Sequence, residues 1–559
     1  LGELTVEAKE FDAIIIGAGI NGAGIARDAA LRGLRVLLLD KGDIAGGTSS
    51  WSTRLIHGGL RYLEYGEVGL VRESLRERES LLRHAPHLVR PLPMLIPIYA
   101  RASRGPLTIR AGMLAYDLLS FGKSLDHHHM LSPEETLRRA PGLSPLGLRG
   151  AALYYDAQVE YAERLVLENA LDARDHGATV RTYARVDRFV MDEGSVRGVE
   201  FTDLLEGSGG HIALAPLTVN VAGPWVDQLI RAALAHPARR LIGGTKGSHL
   251  VVKEFQGAPA CALYVEAALD GRPFFIIPWN GQYLIGTTDL RYEGDLDRVE
   301  ASDEEIDYLL RETNRVVPAA NLTRASILYT YSGVRPLAFT EKAKEKGITR
   351  RHFIHDHAPE VGGLLSIVGG KLTTYRHLSE QAVDLIFVKL DRKSPAPMTA
   401  REPLPGAATN DFAAFSAELK SKSLLPASVS ERLLRVYGTR ALLVLEIAGE
   451  GDALLRESFS PSTGAIGAEI LFAFRHEMAR TLSDCLMRRT MVGIGPSVGL
   501  EDDERAAIIA QKYLGWSKNY AEREVAAYRE YVKRFNPRIL DEDERAVQLF
   551  TTETQRTQR

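Results

Sequence analysis

Four residues near the N-terminus have types and spacings that could hold a dinucleotide. Gly17, Gly19 and Gly22 form a G-x-G-x-x-G, and Asp40 lies 18 residues beyond the last of them. In such an arrangement the first glycine permits a tight turn. The second lets backbone N–H groups approach a pyrophosphate, the third lets helix and strand pack closely, and the acid takes a ribose hydroxyl. That chemistry needs three elements around those residues, and the chain supplies them. The apolar run Ala13 to Ile16 enters the glycines as a buried parallel strand. Ile25, Ala26, Ala29 and Ala30 give a helical pattern whose N-terminus attracts phosphate. Val36 to Leu39 is a second apolar strand, and it ends on Asp40. The unit reads as a Rossmann-type βαβ fold.

Two cations stand at the ends of other strands. Arg335 closes Ser-Gly-Val-Arg-Pro, and Lys371 follows a Gly-Gly turn after the apolar run Leu364 to Val368. Ligands in open α/β sheets sit at strand C-termini, here the turns after Ile16, Val221 and Val368, so such charges are placed for a cleft. His127-His128-His129 is short and internal, and reads as a solvated loop and not a metal site.

The bulk composition is that of an ordinary globular protein. A chain of 559 residues exceeds one core, so roughly two to four domains are expected. A net charge of −3, from 69 basic and 72 acidic residues, gives no drive toward nucleic acid. Cys261 and Cys485 are far apart, which suits a reducing compartment without a disulfide framework. No apolar run approaches the roughly 20 residues that span a bilayer. The apolar stretch at 13–16 follows Glu10 and Asp12, not a basic segment, so it is not read as a signal peptide. The chain opens on Leu1 rather than Met, and residues upstream of it are expected.

Periodicity predicts helices over 67–85, 106–121, 160–177, 303–317 and 374–389. Strands are expected at Ser248 to Val252, Phe274 to Pro278, Tyr283 to Thr287 and Ile327 to Tyr331. After Pro395-Ala396-Pro397 the character changes, and 411–535 reads as almost entirely helical. Ile470, Phe474, Met478, Leu482 and Leu486 form one i, i+4 stripe of core residues, and the chain from Thr551 reads as disordered. If the strands at 11–16, 36–39, 219–222 and 364–368 share a sheet, the nucleotide domain is discontinuous. The expected division is a nucleotide domain from 1–90, 150–240 and 355–395, a second domain from 91–149 and 241–354, and a helical domain from 396–559.

Seven segments now converge in order: Thr48-Ser-Ser50, Leu55 to Glu64 (LIHGGLRYLE), Ala222-Gly-Pro-Trp225, Lys246-Gly-Ser-His249, Ile285 to Asp289 (IGTTD), Thr330 to Leu337 (TYSGVRPL) and Gly369 to Tyr375 (GGKLTTY). With them, from residue 11 to about 535, the chain closely resembles the FAD-dependent (aerobic) glycerol-3-phosphate dehydrogenases; Arg488-Arg489-Thr490 also fits. The bacterial type is the better match, since the calcium-binding loops and transit peptide of the mitochondrial enzymes have no counterpart here. The resemblance implies an α/β, D-amino-acid-oxidase-like fold: a Rossmann-type FAD-binding domain, a mixed-sheet substrate domain and an all-helical C-terminal domain. It implies oxidation of sn-glycerol 3-phosphate to dihydroxyacetone phosphate, with electrons passed to a membrane quinone. The expected setting is the cytoplasm, peripheral on the inner face of the cytoplasmic membrane, with a homodimer left open.

Under that resemblance the site residues take roles. The ADP end of FAD falls to Gly17, Gly19, Gly22 and Asp40, with Ala222 and Gly223 near it. Thr48, Ser49, Ser50 and Gly58 serve the pyrophosphate, ribitol and flavin, and Gly370, Lys371, Leu372 and Thr373 the ribitol and ring edge. No His or Cys stands in a covalent-attachment motif, so FAD is expected to be non-covalent. A phosphate dianion needs fixed positive charge, which points to Arg61, Arg335, Arg350 and Lys371, with a phenol from Tyr62 and contact from Thr373. His249 is the expected base for the C2 hydroxyl. The alternative for it is orientation of the substrate while Arg335 stabilises the developing alkoxide. Thus His249, Arg335 and Lys371 are the expected catalytic set, with no metal. A basic amphipathic segment, Arg101, Arg104, Arg110 and Lys123 beside Leu114, Leu118 and Phe121, is a candidate membrane contact. The rival function is a glycerol-3-phosphate oxidase that reduces O₂ to hydrogen peroxide.

Overall fold

The computed structural model describes residues 6–100, 104–233, 239–341 and 350–538. The expected tail beyond Thr551 and Arg101 of the basic segment lie outside the described residues.

The four widely separated apolar runs do share one sheet. Its six strands lie in the order Phe353–Asp356, Leu364–Val368, Thr218–Asn220, Ala13–Ile16, Val36–Leu39 and Thr179–Arg181, all parallel except the first. Val219 pairs with Ile15 on one side and Leu365 on the other. Every residue of Ala13–Ile16 and Val36–Leu39 is buried, which is why these strands read as continuous apolar runs instead of alternating ones. The helix Ile20–Leu31 covers one face, packed against Ala162–Asp175 and Tyr375–Lys389.

A second sheet of ten strands carries the four strands expected between 248 and 331, as Thr245–Val252, Pro273–Trp279, Gln282–Gly286 and Ile327–Arg335. Thr245–Val252 is paired on both sides, by Gln282–Gly286 and by Ile327–Arg335, so His249 and Arg335 sit on neighbouring strands. The strand Leu148–Val159, expected mostly on the nucleotide side of a boundary at 150, belongs to this second sheet. It pairs along its length with Val89–Tyr99, and Leu55–Ile56 joins its other side. Those long antiparallel ladders, not chain position, assign the segment.

Over 411–535 the chain is almost entirely helical, as expected, apart from a two-stranded hairpin of Ser458–Ser460 with Ala465–Ile466. The expected single helix behind Ile470, Phe474, Met478, Leu482 and Leu486 is not continuous. Gly467–His476 ends, Met478 adopts a left-handed φ of 56°, and Thr481 caps a new helical stretch at Leu482–Asp484 that runs into a π-turn at Cys485–Arg489. Ile470, Leu482 and Leu486 are nonetheless fully buried, so the core reading of those residues holds across the break. Asp484 draws the chain into the second start by accepting from the N–H groups of Arg480 and Thr481.

Candidate active site

One cavity of about 1140 Å³ runs along the C-terminal edge of the six-stranded sheet, over the second sheet, and against the helical C-terminal segment. The three glycine turns after Ile16, Val221 and Val368 all open into it.

At one end the backbone forms a cradle. Gly17 has a φ of 113°, and a Cβ there would meet Val221 O at 2.6 Å; at Gly22 a Cβ would meet Gly17 O at 1.8 Å. Only glycine allows this approach of turn, helix and neighbouring strand. Gly19 begins the helix Ile20–Leu31 without any side-chain cap of its own. The Oγ of Ser49 instead accepts from Ile20 N at 3.0 Å. Asp40 lines the cavity and ties the turn from below, its carboxylate accepting from Ala18 N at 2.6 Å and Gly42 N at 2.8 Å; burial pushes its pKa up. The loop carrying Thr48 and Ser49 is anchored by Arg54, which pairs through two bonds with Glu163 at 2.7 and 2.8 Å and donates to Ser50 O. A helix N-terminus facing the cavity, a ribose-accepting acid and a glycine floor fit a dinucleotide diphosphate. The buried Trp225 Nε1 and Asn21 Oδ1, both lining residues, have no partner within the protein.

Most sequence-derived cofactor residues line this cavity: Gly17, Gly19, Asp40, Thr48, Ser49, Ala222, Gly223, Gly370, Lys371, Leu372 and Thr373. Three do not. Gly22 acts in packing, as its place in the motif requires. Ser50 is turned inward, its hydroxyl donating to Ala45 O at 2.6 Å. Gly58 lies behind the wall, its N–H donating to the Tyr116 hydroxyl at 2.9 Å, and that hydroxyl in turn serves Asp156. Thr48 lines the cavity but donates its hydroxyl proton to Val334 O at 2.7 Å.

At the other end cations gather. Arg61, Tyr62, Arg335, Arg350, Lys371 and His249 line the same cavity, although they come from five separate stretches of chain. Arg335 is held by Thr287 Oγ1 at 3.1 Å and Thr288 O at 3.3 Å, and a Cβ on Gly247 would strike its guanidinium at 2.3 Å. Asp289, which sequence reasoning left out, accepts from both Arg335 and Arg350. Its place as the last residue of Ile285-Gly-Thr-Thr-Asp289 is the signal that could have found it. Lys371 Nζ sits 3.8 Å from the centre of the Tyr62 ring, and burial pulls its pKa down to about 7. Arginine keeps its charge in such a place and lysine does not.

His249 stacks on Tyr331 with ring centres 4.8 Å apart, in space that exists because residue 286 is glycine. Its Nε2 is 3.0 Å from Thr53 Oγ1, another residue the sequence did not single out, and its Nδ1 is buried without a partner. Burial, with Arg335 and Arg54 close by, holds its pKa well below the usual histidine value, so the ring is neutral. With Nε2–H donating to Thr53, Nδ1 keeps a free lone pair. His57 lines the cavity beside Phe275, burial taking its pKa down to about 4, and its backbone N–H donates to Thr373 Oγ1 at 3.3 Å. In the triple-histidine segment, His127 and His128 both face Asp117, at 3.3 and 2.7 Å. His127 and His129 are exposed, as in the solvated loop expected, and Asp117 holds His128.

A dinucleotide cradle opening onto a pocket of fixed cations is the layout of a flavin oxidoreductase, and comparison with known proteins agrees. The family described as FAD dependent oxidoreductase matches residues 12–376, and the C-terminal domain of alpha-glycerophosphate oxidase matches residues 397–521. A glycerol-3-phosphate dehydrogenase of Synechocystis sp. is 47% identical over 541 residues, which is 95% of this chain and 97% of that protein. One from Pseudomonas aeruginosa is 38% identical, over 87% of this chain and 93% of its own. The solved structure of the glycerol-3-phosphate dehydrogenase from Bacillus halodurans, complexed with FAD, is 29% identical with a TM-score of 0.75 over 96% of each chain. Fold and site therefore define an FAD-dependent oxidoreductase. Within that class, the chain belongs to the glycerol-3-phosphate dehydrogenase family.

Proposed function

We propose that this protein oxidises sn-glycerol 3-phosphate to dihydroxyacetone phosphate on a non-covalently held FAD, and passes the electrons to a quinone at a membrane surface. The observation that carries the substrate is the convergence of Arg335, Arg350, Lys371, Arg61 and Tyr62 in the cavity that the nucleotide cradle opens into. FAD, when bound, supplies the acceptor for a hydride from the substrate's C2. The protein's own groups do the rest. Arg350 and Arg61 hold the phosphate dianion with Tyr62 and Lys371, Arg335 faces the oxygen that becomes the carbonyl, and His249 is the acceptor for the hydroxyl proton. The low basicity of His249 suits a group that takes the proton only as hydride leaves.

The three-part division of the chain is proposed with Leu148–Val159 assigned to the substrate domain. Membrane contact rests on the helix Pro106–Leu119. Its inner face carries Tyr116 against Gly58 and Asp156, while Leu107, Leu114, Leu118 and the following Phe121 are 82, 56, 75 and 95% exposed. An apolar face of this size suits shallow burial in a lipid surface. The basic component is smaller than expected. Arg104 is bound to Glu64 and Glu266, and Lys123 to Asp117, which leaves Arg110 exposed beside the apolar face. No helix among the described residues is long and apolar enough to cross a membrane.

The test is an anaerobic absorbance spectrum of the purified holoprotein before and after sn-glycerol 3-phosphate. The flavin band near roughly 450 nm is expected to bleach. An unbleached flavin would remove the substrate assignment. Readmitting air with and without a quinone analogue separates the dehydrogenase from the oxidase, since stoichiometric hydrogen peroxide would favour the latter.

A further inference from the structure

Among the described residues the His249 ring has one hydrogen-bonding partner. Its Nε2 lies 3.0 Å from Thr53 Oγ1, while its Nδ1 is buried with none. The two residues are 196 positions apart in the chain, and both line the main cavity. His249 sits on the strand Thr245–Val252 and is almost wholly buried. Thr53 is half-buried, on the loop just before Leu55–Ile56.

The residues on either side of Thr53 are pinned. Ser52 O accepts from the Tyr331 hydroxyl at 2.9 Å. Arg54 is fixed by Glu163 at 2.7 and 2.8 Å, and its guanidinium lies 4.5 Å from the centre of the Trp279 ring. Tyr331 thus braces both members of the pair. Its ring stacks on His249, and its hydroxyl holds the peptide just before Thr53. A β-branched side chain is stiff at χ1, so a fixed backbone leaves the threonine hydroxyl few places to go. The oxygen is set against Nε2 before any substrate arrives, as a supporting group should be.

Protonation shows what such an oxygen is for. A neutral imidazole has one N–H, and a protonated one has two, both donors. The charged groups facing the ring oppose its second proton: Arg335 from the strand Ile327–Arg335, and Arg54 from the loop. Tyr331 covers one face of the ring. Thr53 Oγ1 is the acceptor in place for the protonated ring. The inference rests on the reading of His249 as the base for the C2 hydroxyl. On that reading the ring gains its charge as the hydride leaves C2 for FAD. A hydrogen bond from an ionised donor is roughly twice as strong as a neutral one, so the contact with Thr53 strengthens at that moment. An interaction that strengthens only then raises turnover and not affinity.

We propose that Thr53 is a positioning residue of the oxidation: its hydroxyl fixes the plane of the His249 ring and accepts the Nε2–H of that ring as it takes up the substrate's proton.

The experiment uses the FAD-loaded protein and follows anaerobic flavin bleaching by sn-glycerol 3-phosphate in stopped flow, across substrate concentration and pH. Thr53→Val is close in shape and lacks the hydroxyl. It should slow bleaching about tenfold to 10²-fold, the scale of one hydrogen bond to a charged group. The substrate concentration for half-maximal rate should stay within about twofold of native, since the lost interaction belongs to the transition state. The acid limb of the rate should move to lower pH, because a ring without its acceptor holds a proton less well. Thr53→Ser should restore both the rate and the limb. In a His249→Gln background Thr53→Val should add no further slowing, since the threonine acts through the histidine. Melting temperature and the flavin spectrum report folding and loading; should Thr53→Val not load FAD, Thr53→Ala takes its place beside Thr53→Ser. A native bleaching rate in Thr53→Val, a serine variant as slow as the valine one, or a full added loss in the His249→Gln background would overturn the proposal. Failure of the underlying readings shows itself separately. His249→Gln bleaching at the native rate would remove the base assignment, and a native flavin left unbleached would remove the substrate.

Discussion

Asp289 stands between Arg335 and Arg350, one carboxylate oxygen 3.1 Å from Nη1 of the first and the other 3.0 Å from Nη2 of the second. A carboxylate in a phosphate pocket weakens its field, so its use is positional. It holds two like charges side by side and aims the Arg335 guanidinium, which also takes Thr287 and Thr288. Asp289→Asn should therefore lower kcat for sn-glycerol 3-phosphate by about tenfold to 10²-fold, the scale of a small misplacement of a reacting group. KM should not rise, because net positive charge in the pocket increases. Steady-state kinetics check both, and a raised KM at native kcat would contradict the assignment.

Lys371 carries a stability cost that changes with pH. Its folded pKa, about 7, lies below the usual lysine value, chiefly through burial. Between those two values the unfolded chain binds the extra proton, so this group costs stability as pH falls toward 7. Lys371→Met should raise the melting temperature most at pH 7 and below, with the gain shrinking as pH approaches 10. Substrate affinity should fall in the same variant. Thermal melts across pH check the sign; a uniform shift at every pH would not fit.

Asp43 pins the nucleotide loop to the C-terminal segment. Arg489 donates to its two oxygens at 2.7 Å each, and Arg488 adds a third bond. Burial alone would raise the Asp43 pKa, but Arg489 and Arg488 outweigh it and hold it below the ordinary carboxylate range. The stabilisation is thus present above that range and is lost as pH falls through the depressed folded value. Asp43→Asn leaves the buried Arg489 without its anion and Arg488 with Asp484 alone, and should cost about 3–5 kcal/mol. It should also flatten the acid limb of the melting curve and speed FAD release on dilution, read by flavin fluorescence.

The exposed face of Pro106–Leu119 gives a prediction about location. Leu118→Glu combined with Phe121→Glu should reduce co-sedimentation with anionic vesicles by tenfold or more, as each large apolar side chain is worth about 1.5–3 kcal/mol when buried. Activity with a soluble acceptor should be retained, because neither side chain points inward. Undiminished vesicle binding would place the contact elsewhere. Arg110→Glu should have a smaller effect that vanishes at high salt.

The sequence by itself determined what local spacing controls. Gly17, Gly19, Gly22 and Asp40 act through one turn, one helix and two adjacent strands, so their roles are legible in about 30 residues of chain. Arg335 and Lys371 were legible because each follows an apolar strand, and strand ends meet at one edge of a sheet. Tertiary structure decided whatever depends on partners distant in sequence. Ser50 shares a run with Thr48 and Ser49, yet the turn at Ala45 takes its hydroxyl inward. The i, i+4 stripe through Met478 looks like one helix until Asp484 and Thr481 start a new one. Arg104 reads as a free cation until Glu64 and Glu266 reach it from other elements. The near-neutral pKa of Lys371 and the anchor at Asp43 likewise have no sequence signature, because burial and charge at those points come from segments tens to hundreds of residues away. Local rules set which elements form; the field inside the cavity exists only once those elements have packed.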